Sequence, residues 1–410
     1  MSELPPGSSP HRSRFFKPWS FALGLAAGLL LCSLVARHVS RRSYHEGFTR
    51  FYLGISPEAQ YYPTLDEMKA IVRSNCRPDQ ILVVVGGNSI FNGVGQPPGS
   101  VWTSALQNEL GGGFYVVNFA FRGALCTDGG AIVAEALRKE YPRQIYVANT
   151  SPFGAVAPHG TEPYRYLFWE AQARGEMESF APRDAAVSHF RRYYMKWGER
   201  FDIWAREGLD RILRFRDLWN WVGFNHLFTI PSMMTPHLPE AMWPRRQIPD
   251  AETDFDTIPF DLRFRPEIRA AEMNIVSGFS RIFYTEGPGG AWVLRPATAK
   301  DYATNVRAAF PDDLKPRTLI MLSRNSPFYV DQLSPSERSR DEQAYRDAIG
   351  LWRKAGCAAS EYGTGYDVLD FGDRTHLTAK GGKKLAHTVA DLVRSLSDKL
   401  GYTHLNSPPP

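Results

Sequence analysis

The first long apolar run occupies residues 19–36 (WSFALGLAAGLLLCSLVA), eighteen residues without a charge and flanked by Lys and Arg on both sides. That length suits a helix crossing a bilayer. A cleaved signal peptide is the competing reading, but the run is long and no A-x-A site follows it. From 39 to 78 the chain reads as a polar connector rich in Arg, Tyr and Pro. A different rhythm then begins. Residues 81–85 (ILVVV) form a continuous β-branched run ending in Gly-Gly, as a buried parallel strand does. Residues 101–110 have helical spacing and stop at Gly111, Gly112 and Gly113. A second strand is predicted over 114–119, a helix over 128–139 with Ile132, Val133, Ala136 and Leu137 inward, and a third strand over 144–148. This βαβαβ order predicts a parallel sheet covered by helices on both faces.

The alternation lapses from about 158 to 317. That stretch holds seven of the ten tryptophans, amphipathic helical patterns (185–224 the clearest) and Pro-rich turns at 231–250. Tyr193, Trp197, Phe201 and Trp204 recur at helical spacing, a pattern that reads as core packing, with a sugar-stacking platform as the alternative. The strand signal resumes at 318–322 (TLIML), followed by helices over 335–355 and after Thr378. The organisation predicted is a tail (1–18), an anchor (19–38), a connector (39–78), an α/β core (79–157 and 315–400), a mainly helical insertion (158–314) and a C-terminal tail (401–410).

Charge changes the picture only once it is located. The chain has 410 residues and a net charge of +5. Residues 1–45 carry six basic residues and the single acid Glu3, which leaves 42 basic and 42 acidic residues beyond them. No polyanionic partner is called for, and nucleic acid is not an expected ligand. The four cysteines include Cys32 in the apolar run, leaving Cys76, Cys126 and Cys357. One disulfide among these three is open, with one thiol left over. The ten histidines show no metal-ligand spacing, so neither a metal nor another cofactor is expected.

The candidate chemistry sits at strand ends. The first strand runs into Gly86, Gly87, Asn88 and Ser89, with Gly93 following. A serine on a tight strand-to-helix turn can present a nucleophilic hydroxyl, or simply cap a helix. Gly123 follows the second strand and can offer its N–H to a ligand, or serve as a turn glycine. Asn149, at the end of the third strand, can donate a side-chain N–H into the same crevice, or form an Asx turn. Asp373 and His376 lie three residues apart before a helical pattern. A carboxylate at that spacing can hold the imidazole tautomer that a general base facing a serine needs.

In this order the blocks resemble those of the SGNH (GDSL-type) hydrolases. Gly87, Asn88, Ser89 and Gly93 resemble the nucleophile block, with Asn88 where aspartate is usual. Asn118 to Gly123 resembles the second block, Asn149 stands in the place of the third block's asparagine, and Asp373 to His376 resembles the D-x-x-H block. The resemblance covers about residues 80–155 and 315–395. It implies an α/β fold with a doubly wound, flavodoxin-like three-layer parallel sheet, interrupted by the helical insertion and preceded by the transmembrane helix. It also implies a Ser89–His376–Asp373 triad, with Ser89, Gly123 and Asn149 lining the oxyanion hole. No G-x-S-x-G elbow occurs, so the α/β-hydrolase pattern fits less well.

An N-terminal anchor with this layout is similar to membrane-tethered bacterial proteins that acylate or deacylate envelope polymers. The implied activity is that of a serine esterase or O-acyltransferase, acting on an acylated carbohydrate or cell-envelope polymer outside the cytoplasm. A membrane acyltransferase is a further implied partner. The alternative is an inactive scaffold of the same fold that binds a glycan or a membrane partner.

Overall fold

The computed structural model describes residues 18–39, 48–51, 63–154, 165–173, 175–177, 196–214, 217–218 and 254–402. Its centre is a five-stranded, all-parallel sheet of β1 (Ile81–Gly86), β2 (Phe114–Asn118), β3 (Gln144–Thr150), β6 (Thr318–Ser323) and β7 (Ala358–Tyr362), in the order β2-β1-β3-β6-β7. Helices bury both faces, and that is why β1 and β6 read as unbroken apolar runs instead of alternating. Along β1 the side chains divide by parity. Leu82 and Val84 enter the core on one face, and Ile81, Val83 and Val85 the core on the other.

The first face is covered by α2 (Leu65–Asn75), α5 (Gly129–Leu137), α6 (Arg165–Ala173), α9 (Pro296–Ala308) and α10 (Pro335–Lys354). The other is covered by α4 (Trp102–Leu110) and α11 (Ala379–Lys399). The fold is therefore α/β, as the alternation predicts. The connector differs from its reading. Instead of a polar linker throughout, it contains α2, which opens on a capping box between Thr64 and Glu67 and buries Leu65, Met68, Ile71 and Val72.

Within the insertion the described residues include α7 (Trp197–Leu213), α8 (Pro266–Phe283) and a two-stranded antiparallel hairpin, β4 (Tyr284–Glu286) with β5 (Trp292–Leu294). Of 185–224, the clearest helical pattern, 196–214 and 217–218 are among the described residues, and Tyr193 and the 231–250 turns lie outside them. The reading of Trp197, Phe201 and Trp204 as core is corrected: they are 74%, 53% and 68% exposed. N-terminally, α1 (Pro18–Val39) is long and apolar enough to cross a membrane.

The strand order positions the site. β1 is followed by β2 on one side and by β3 on the other, which opens a crevice at the carboxyl ends of β1 and β3, where ligands of doubly wound sheets bind. Gly86 is level with Ala148 in the β1–β3 register, so the residues just beyond, Gly87 to Ser89 and Asn149, lie side by side at that edge.

Candidate active site

Beyond β1 the chain turns sharply into α3 (Ser89–Asn92). Two glycines make that turn. Gly87 has φ +105 and backs onto Asn149, where a Cβ would strike the amide. Gly93 has φ +87 and faces the Arg50 guanidinium. Both need the left-handed region that glycine alone enters cheaply. Arg50 is buried and donates from Nη1 to the Asn92 carbonyl at 3.0 Å and from Nη2 to the Gln96 carbonyl at 2.7 Å. It ties the connector to the serine turn. Asn88 caps α3, its Oδ1 accepting from the Ile90 N–H at 3.0 Å. Ser89 is thereby the first residue of the turn, where an N–H has no partner within the helix.

His376 reaches that serine from a loop 287 residues further along the chain. Its Nε2 stands 2.8 Å from Ser89 Oγ, and its Nδ1 stands 2.7 Å from Asp373 Oδ2. Beside a carboxylate, Nδ1 carries the hydrogen, so the Nε2 lone pair accepts from the Ser89 hydroxyl. The other oxygen, Asp373 Oδ1, accepts from the N–H groups of Thr375 and His376, both at 2.8 Å. Burial pushes this carboxylate up, but the His376 ring, by hydrogen bond and charge, and the two backbone N–H groups outweigh it. Asp373 is held below the ordinary carboxylate range. It stays ionised to orient the ring.

The loop itself is fixed at several points. Gly372 N–H donates to the His376 carbonyl at 2.8 Å, Phe371 pairs with Leu377, and Ser326 N–H donates to the Arg374 carbonyl at 2.8 Å. Arg374 ion-pairs with Glu272 of α8 and donates to Asn325 Oδ1 at 2.8 Å.

Asn149 is buried, and its amide is engaged with the serine turn. Nδ2 donates to Asn88 Oδ1 at 2.7 Å, and Oδ1 accepts from the Asn88 N–H at 3.0 Å. Asn88 thus forms a paired amide contact that closes β3 onto the turn. Gly123 lies exposed in the loop after β2 with φ +71 and open space about its Cα. That loop is drawn to the site by Phe119 N–H donating to the Val85 carbonyl at 2.7 Å and Phe121 N–H to the Gly87 carbonyl at 3.0 Å.

Sequence reasoning passed over Arg50 and Phe255. Phe255 N–H donates to the Gly95 carbonyl at 2.9 Å, and its ring lies edge-on to His376 with centroids 6.4 Å apart. Gly95 and Gly372 both back onto that ring, and a Cβ on either would overlap it. The insertion thus lends a wall to the imidazole. No spacing in the sequence links a phenylalanine at 255 to glycines at 95 and 372.

The thiols stay outside this chemistry. Cys32, Cys76, Cys126 and Cys357 are all free, which closes the open disulfide question in favour of thiols. Burial pushes Cys76, Cys126 and Cys357 each up to about 12, which suppresses their thiolates. Among the described residues no group of three or more His, Cys, Asp and Glu is arranged to hold a metal ion. In comparisons with known proteins, no family model matches the chain, and no curated protein and no solved structure is significantly similar to it.

Proposed function

We propose that this chain is a membrane-anchored serine acyl-ester hydrolase or O-acyltransferase of the SGNH type, acting on an acylated carbohydrate or envelope polymer outside the cytoplasm. The observation that carries this reading is the unbroken line of hydrogen bonds from Ser89 through His376 to Asp373. In the reaction, Ser89 Oγ attacks the ester carbonyl carbon while His376 Nε2 takes the hydroxyl proton. The oxyanion settles against the N–H groups of Ser89 and Gly123. Asn149 acts as a donor through Nδ2 or, through its contact with Asn88, by holding the turn. His376 then returns the proton to the departing alcohol, leaving an acyl group on Ser89. Attack by water completes hydrolysis, and attack by a sugar hydroxyl completes transfer.

The test uses the full chain in detergent with p-nitrophenyl acetate. A burst of nitrophenol equal to the enzyme present marks the acyl-enzyme, and faster turnover on adding a sugar alcohol, with acetylated sugar formed, marks transfer. Ser89→Ala lowers turnover at least about 10⁴-fold with an unchanged thermal melt. Equal activity in a folded Ser89→Ala protein overturns the reading.

A further inference from the structure

α7 is amphipathic, and its apolar side is bare. At 100° per residue, Trp197, Phe201, Trp204, Leu209 and Ile212 fall on one arc, while positions 199, 206 and 210 fall on the opposite one. Beyond the three exposed aromatics, Leu209 is 51% and Ile212 61% exposed. The rings also associate with each other, Trp197 stacked on Phe201 at 5.7 Å and Phe201 tilted against Trp204 at 5.8 Å. So much aromatic and aliphatic surface on one arc is unfavourable in water.

The neighbouring element indicates what covers it. The C-terminal end of α7 is fixed to α1: the Ile212 carbonyl accepts from Ser33 Oγ at 2.9 Å and from Arg37 Nη2 at 3.3 Å. α1 is the apolar helix, with a mean hydropathy of 2.0 over its most apolar window and only 11% of that window buried. Ser33 and Ala36 are buried, whereas Leu23, Leu25, Leu30 and Leu31 are exposed. Arg37 and His38 occupy its last turn, where a spanning helix leaves the hydrocarbon. α7 therefore joins the anchor at headgroup depth, and Trp is the side chain that favours that depth.

We propose that α7 lies in the headgroup–acyl boundary of the bilayer that α1 enters, with its Trp197–Phe201–Trp204 face toward the lipid. The proposal rests on α1 being a membrane anchor and is independent of the catalytic reading. The charges of α7 nearly cancel, Arg200, Arg206 and Arg211 against Glu199, Asp202, Glu207 and Asp210. The apolar face supplies the attraction, so anionic lipid is not required.

The experiment places single nitroxide labels on the full chain, in a Cys32→Ser background, in phosphatidylcholine vesicles with and without phosphatidylglycerol. Labels go on Phe201→Cys, Leu209→Cys, Arg206→Cys and Ala27→Cys, each variant checked by thermal melt. If one of the two apolar-face variants fails to fold, the other carries the test. The readout is the ratio of collisions with oxygen to collisions with a water-soluble nickel chelate. A ratio several-fold higher at 201 and 209 than at 206, unchanged by anionic lipid, is the expected result. Equal ratios at 201, 209 and 206 overturn the proposal, as does exclusion of both reagents at 201 and 209, which would mean that protein covers the face. With Ala27→Cys embedded, either failure belongs to α7 alone. With Ala27→Cys open to nickel, the anchor reading falls with it.

Discussion

Ser89 is an ordinary alcohol until something removes its proton, and what sets it apart from the other serines of the chain is a 2.8 Å contact with His376 Nε2. In the proposed reaction the residues around it divide into those that act on that proton and those that hold the turn. Asp373→Asn keeps a side chain of the same shape but removes the acceptor that fixes the Nδ1 hydrogen. Its turnover is expected to fall by about 10⁴-fold, the cost of the wrong tautomer. Asn149→Ala is expected to lose about 10²–10³ in turnover if Asn149 supplies one donor. Because its amide also pairs with Asn88, this variant melts at a lower temperature than the parent, whereas Ser89→Ala does not. Steady-state rates with melts for each variant check both, and an Asn149→Ala protein that keeps full activity moves the donor elsewhere. The contact of Ser89, His376 and Asp373 was legible because the serine and the Asp-x-x-His pair each sit in a short local motif. The Asn149–Asn88 pairing was not, because it depends on the register of β3 beside β1.

The insertion contributes to the site through small elements that a helical reading passes over. The ring of Phe255 fits against two glycines, one following the serine turn and one opening the histidine loop. Phe255→Ala therefore loosens His376 without touching substrate. The expected outcome is a fall in kcat on the order of tenfold or more with KM little changed, since small displacements of a reacting group cost rate steeply. Gly372→Ala is expected to act in the same direction by pushing the ring away, and a KM-led loss in both would instead assign Phe255 to substrate binding. α2 was read as connector for a different physical reason. Its buried charged residues have partners, Lys69 lying 2.7 Å from Glu176 and 3.6 Å from Asp66, so polarity there does not signal exposure. β7, only partly buried at the sheet edge, is too short and too polar to announce itself. α7 shows the converse. Its apolar spacing predicted burial, yet the face is exposed, because periodicity reports an amphipathic helix and not what covers it.

For the molecule as a whole, pH and membrane topology are the informative variables. Asp341 of α10 is buried, and burial pushes its carboxyl up to about 6 despite the nearby arginines Arg324 and Arg340. A carboxyl raised on folding favours its protonated form, so the stability linked to it is complete below the ordinary carboxylate range and lost as pH rises through about 6. The difference amounts to about 3 kcal/mol. Asp341→Asn is expected to flatten the melting temperature between pH 4 and 7 and to exceed the parent protein at pH 7. The same pH slope in the variant would place the effect on another group. Topology is tested by a reporter enzyme active only outside the cytoplasm and fused after Pro410. Activity there is expected, and activity confined to a cytoplasmic reporter removes the envelope substrate. The α/β class could be read from the sequence because strands buried on both faces are apolar throughout. The pairing of β7 with β6 and the packing of Phe255 against Gly95 and Gly372 depended on distant contacts. The measurement that tests the central claim most directly is reaction of the full chain with a fluorophosphonate, followed by peptide mapping. One adduct per chain is expected, on Ser89, lost in folded Ser89→Ala and strongly slowed in His376→Ala. A folded chain that takes no adduct, or the same labelling in Ser89→Ala, would contradict it.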